Sequence, residues 1–99
     1  MSVLFVVGRF QENATAFRLA EEMALDGVKI NFLFRGKGCL HTTDHELVKS
    51  LEHVGGAYCL KPDCEAEGTL EKIADGVKLT DFDGWVRLLE DCGKIVSWI

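Results

Sequence analysis

The chain has 99 residues, 47% hydrophobic and 27% charged, with a formal net charge of −5. Such values fit one compact domain over residues 1–99 and argue against a disordered chain. The acidic balance, with lysines and arginines scattered, argues against direct nucleic-acid binding, and no apolar run approaches the roughly 18–20 residues that cross a bilayer.

Residues 1–7 lack a basic leader and a cleavage site, so the expected location is cytoplasmic, with the four cysteines reduced. Residues 3–7 are continuously apolar and predict a strand buried on both faces. Asn13 is positioned to cap a helix carrying Ala16, Phe17, Ala20, Met23 and Ala24, which Asp26-Gly27 stops. Residues 28–34 predict a second strand, broken into a loop at Gly36-Lys37-Gly38-Cys39. Thr43 and Glu46 have capping-box spacing ahead of a stripe of Leu47, Val48, Leu51 and Val54, with Gly55-Gly56 as the expected stop.

Residues 57–60 form a short third strand, and Pro62 suits the first turn of a helix that runs, broken at Gly68, to about Ile73. Residues 77–79 predict a fourth strand. Thr80 is expected to cap a helix bearing Phe82, Trp85, Leu88 and Leu89, which closes at Cys92-Gly93 before a last strand over residues 94–99. This alternation predicts an α/β fold, a three-layer α/β/α sandwich on a mainly parallel sheet of about five strands. Ligand sites in that architecture lie beyond the carboxyl ends of the strands, where residues 8–13, 35–43 and 59–64 are expected to meet.

Cys59 ends the third strand just ahead of the helix start at Pro62-Asp63. There the helix dipole, with Lys37 and Lys61, would favour a thiolate able to attack sulfane sulfur; the alternative is a small buried hydrophobe ending a strand. Cys39, in the glycine-rich loop, is a second candidate thiol or a loop residue without a role. Cys64 has the spacing for a disulfide or a resolving partner of Cys59, or packs on the sheet as a plain helix residue, and Cys92 reads as structural. Cys39, His41 and His45 do not match the paired arrays of zinc sites, so no metal is expected; His41 is a candidate base by its loop position. Gly36-x-Gly38 lacks the third glycine of a dinucleotide fingerprint, no phosphate loop is present, and no cofactor is expected. Asp81 and Asp83 suit a helix start, and Trp85 and Trp98 suit core or interface positions.

The run from Ala57-Tyr58-Cys59-Leu60-Lys61-Pro62-Asp63 through Glu67-Gly68 and residues 76–88 to Val96-Ser97-Trp98 resembles the DsrH/TusB family. The shared features are a Leu-x-x-Asp turn into a helix, an aspartate-aromatic helix and a closing Ser-Trp. The first half is similar to the wider DsrE/DsrF/DsrH superfamily. Glu67 departs from the family's arginine before glycine, and TusB-like members need not carry a cysteine at the Cys59 position. The resemblance implies homo- or hetero-oligomers that pass persulfide sulfur to other relay proteins, for tRNA 2-thiouridine or for sulfur oxidation. On that reading the chain is a sulfurtransferase subunit with Cys59, or in reserve Cys39, bearing the persulfide. The alternative is a non-catalytic assembly subunit, which a buried, unreactive Cys59 would favour. The aromatic final strand adds an expectation of self-association.

Overall fold

In the computed structural model the described residues are 2–10 and 15–98, the side chain of Trp98 excepted. The cap expected at Asn13 lies outside them, as does Ile99, the expected end of the last strand. Strands β1 (Ser2–Val7), β2 (Lys29–Phe34), β3 (Gly55–Leu60), β4 (Val77–Thr80) and β5 (Lys94–Trp98) alternate with helices α1 (Thr15–Leu25), α2 (His45–Leu51), α3 (Lys61–Ala66) and α4 (Phe82–Asp91). Short 3-10 segments, Gly36–Thr43 and Leu70–Lys72, precede α2 and follow α3.

All strand pairs are parallel, in the order β4-β3-β2-β1-β5. The chain moves in one direction across the sheet from β1 to β4, so right-handed crossovers place α1, α2 and α3 on one face. The step from β4 to β5 reverses direction past β1, and the same handedness puts α4 on the other face. Two buried clusters match this division. Val3, Phe5, Val7, Phe32, Phe34 and Cys59 pack with Ala16 and Ala20 of α1, Leu51 of α2 and Cys64 of α3. Leu4, Val6 and Leu33 pack with Tyr58 and with Trp85, Leu88 and Leu89 of α4. Val3 to Val7 is buried at every position, as its unbroken apolar run demands of a strand covered on both faces.

The helix boundaries show how local chemistry sets each element. Gly27 closes α1 at φ 88°, a left-handed conformation that glycine adopts freely, and its N–H donates to the Ala24 carbonyl at 3.0 Å. Helix α2 is capped one residue later than the Thr43 spacing predicts: the Asp44 carboxylate accepts from the Leu47 N–H at 3.1 Å. A carboxylate outcompetes a hydroxyl here, and Thr43 instead donates to the Leu40 carbonyl at 2.8 Å. Asp81 likewise replaces Thr80 as the cap of α4, accepting from the Gly84 N–H at 2.8 Å, because Thr80 is held in the β4 ladder opposite Leu60. Gly55-Gly56 does not end a helix but opens β3, where a side chain at Gly55 would collide with the Ile30 carbonyl of β2.

Gly38 marks the closest approach of the 3-10 segment to the sheet. The Arg35 N–H donates to the Val7 carbonyl at 3.0 Å and the Gly38 N–H to the Arg35 carbonyl at 2.9 Å, which seats the segment on the end of β1. A Cβ at Gly38 would run into that same Val7 carbonyl. Gly38→Ala is therefore expected to lower stability by about 1–3 kcal/mol in urea unfolding, whereas Glu65→Ala on exposed α3 stays within about 0.5 kcal/mol. Equal effects of the two substitutions would contradict this packing.

Candidate functional site

The three segments expected at the carboxyl ends of β1, β2 and β3 do meet, over their described residues. His41 Nε2 donates to the Arg9 carbonyl at 3.2 Å, and the His41 ring packs on Phe10 at 4.8 Å and Phe17 at 5.1 Å between centroids. The Gly36 N–H donates to Asp63 Oδ2 at 2.7 Å, which ties the end of β2 to the first turn of α3. Lys37 Nζ pairs with Glu67 Oε1 at 3.0 Å and closes the outer side of the same junction.

Beneath this junction lie three sulfurs. The β-ladder places Cys59 beside Phe34 in the last paired row of β2 and β3. Cys39 comes from the 3-10 segment directly after β2, and its thiol donates to the Phe34 carbonyl at 3.6 Å. Helix α3 starts immediately after β3, with Pro62 in its first turn, so its fourth residue, Cys64, turns back onto the end of that strand. The Cys59 and Cys64 sulfurs are joined as a disulfide, and Cys39 Sγ lies 3.3 Å from Cys59 Sγ. All three sulfurs fall within 4.8 Å of one another, and all three residues are 0% exposed.

The surroundings work against thiolate. Burial, then the carboxylates of Asp63 and Glu67, push the Cys39 thiol up from an ordinary 9.0 to about 12; only its backbone hydrogen bond pulls the other way. Cys39 itself thus meets the negative charge of Asp63 and Glu67. Helix α3 is six residues long with Asp63 in its first turn, and Lys37 is engaged by Glu67. His41 falls below its usual value because burial outweighs its hydrogen bond to Arg9 and the charge of Asp44. Its ring packs among Phe10, Phe17 and Phe34.

The structure therefore brings together Cys39 and Cys59, the two residues singled out from the sequence, and adds Cys64, which it joins to Cys59 although reduced thiols were expected. Cys92 lies on the opposite face, in the cluster under α4, where the Asn31 amide donates to its sulfur at 3.8 Å. Asp63 was legible only as an acidic residue at a helix start; its long-range bond to Gly36 carries no local signal. Arg35 also escaped sequence reasoning. Its guanidinium lies 5.3 Å from the centre of the Trp85 ring, and Arg35 Nε and Trp85 Nε1 are buried without a hydrogen-bond partner among the described residues. No helix among the described residues is long and apolar enough to cross a membrane.

Comparison with known proteins places this geometry. The sequence profile of the DsrH like protein family matches residues 12–95. No curated protein matches the sequence. Among solved structures, the crystal structure of the YchN protein from E. coli superposes with a TM-score of 0.81 at 10% identity, covering 98% of each chain. That likeness confirms the three-layer fold.

Because folded Cys39 holds its proton up to about 12 and the unfolded chain releases it near 9.0, the unfolded state binds fewer protons above pH 9. Stability of the chain with its Cys59–Cys64 disulfide intact then falls as pH rises through that window. Between pH 9 and pH 10 the unfolding free energy of the wild type is expected to drop by about 1 kcal/mol more than that of Cys39→Ala. Parallel pH profiles of the two proteins, followed by urea unfolding, would show that Cys39 is not shielded.

Proposed function

The chain belongs to the DsrH-like protein family, and on that premise we propose that it serves in a sulfur relay as a non-catalytic assembly subunit. In this role it shapes a hetero-oligomer with other relay proteins while another chain presents the sulfur-bearing cysteine. The observation that carries this reading is the complete burial of Cys39 and Cys59. Persulfide exchange between proteins needs a thiolate that a second protein's sulfur can reach. Neither condition is met at Cys39, which is fully buried and whose pKa stands at about 12.

A second reading, a carrier with Cys59 as the persulfide-bearing thiol and Cys39 in reserve, is supported by one feature. The three sulfurs gather at the carboxyl ends of the strands, where α/β proteins place their chemistry. On this reading the Cys59 thiolate attacks the outer sulfur of a donor persulfide; the new bond forms at Cys59 as the donor's S–S bond breaks and its thiolate leaves. The Cys59–Cys64 disulfide must first be reduced by a dithiol.

Mass spectrometry of the reduced, folded protein after incubation with a persulfide donor separates the two. The assembly role predicts no addition to the native chain. A gain of about 32 Da, one sulfur, on the wild type and not on Cys59→Ser would overturn that role in favour of the carrier. Transfer of the label to Cys39 alone would do the same with the reserve thiol.

A further inference from the structure

We propose that Cys39, Cys59 and Cys64, once reduced, form a three-sulfur site for a soft monovalent cation of the copper(I) class. The inference stands apart from the sulfur-relay reading, since it needs neither a sulfur donor nor a partner protein. Three separate elements deliver the sulfurs: the 3-10 segment after β2, the end of β3, and α3. Cys39 and Cys59 are 20 residues apart along the chain.

The dimensions fit. A metal about 2.3 Å from each of three thiolates in one plane requires sulfurs about 4 Å apart. Here all three lie within 4.8 Å of one another and Cys39 and Cys59 are 3.3 Å apart, so once the Cys59–Cys64 bond is opened that pair has to separate to the same spacing by side-chain rotation.

The chemistry selects the ion. Sulfur-only ligand sets favour soft metals, copper(I) among them. Structural zinc takes four ligands, and the described residues contribute only these three to the group. Each cysteine is 0% exposed, which leaves no open face for water to supply a fourth. The step is a ligand exchange. Copper–sulfur bonds form, thiol S–H bonds break with the protons passing to solvent, and no electrons move because copper enters as copper(I). The Cys59–Cys64 bond has to be opened beforehand by a dithiol or phosphine reductant.

The test is anaerobic competition for copper(I) between the full chain and a coloured copper(I) chelator. Reduced wild type is expected to take one copper per chain into a shell of sulfur alone by X-ray absorption. Cys92→Ser should match it, and Cys64→Ser should bind at least tenfold more weakly. Wild type oxidised at Cys59–Cys64 should take up none, a comparison that does not depend on any variant folding. The site is ruled out if reduced wild type fails to draw copper from the chelator, or if oxidation or Cys64→Ser leaves uptake unchanged. Nitrogen or oxygen ligands in the shell, or retention of zinc(II) in preference to copper(I), would equally overturn it.

Discussion

A parallel strand run that is apolar at every position can be accommodated only if both of its faces are covered, and here that requirement falls on Val3 to Val7 of β1. Val3 to Val7 are buried without exception, and their ladder partners Phe32 and Phe34 are buried with them. Covering two faces from one short chain forces helices to both sides of the sheet. The handedness of parallel crossovers then decides which helix goes where. Three of the four connections run one way and stack α1, α2 and α3 over the aromatic side of the sheet. The fourth reverses and leaves α4 alone on the other side, with Phe82 and Val86 exposed.

That asymmetry positions the thiols. The crowded face brings the start of α3 and the 3-10 segment after β2 together over the last row of β2 and β3. Cys39, Cys59 and Cys64 each reach the same point from a different element. Their burial follows from the same packing that satisfies the core, which is why free cysteine works there as a small hydrophobe. Burial, with the charge of Asp63 and Glu67, holds the Cys39 thiol protonated in the closed protein. The proposed supporting role in a relay complex and the proposed binding of a thiophilic ion by the reduced sulfurs do not exclude one another.

Most of the architecture was legible in the residues. Strand and helix alternation, the glycine stop at Gly27, Pro62 at the start of α3 and the break at Gly68 all read directly from local pattern. The misses have local causes too. At Asp44 and Asp81 a carboxylate one residue beyond the expected threonine makes the cap. Gly55-Gly56 reads as a breaker because spacing shows the freedom of glycine but not the Ile30 carbonyl that requires it. The site was half legible. Cys39 and Cys59 were identified by their places at strand ends and Cys64 by its spacing from Cys59, but the Asp63–Gly36 bond and the sign of the field at Cys39 depend on contacts between elements distant in sequence.

The central claim is that the sulfur cluster is part of the core and shares its stability. It is tested most directly by following thiol labelling of Cys39 in the reduced chain across sub-denaturing urea, with mass spectrometry to assign the site. The account predicts that the free energy of the opening that exposes Cys39 equals the global unfolding free energy and falls with urea at the same slope. Labelling that proceeds in the absence of urea at a far lower opening energy, and that urea leaves unchanged, would contradict it: the site would then open locally and be within a partner's reach.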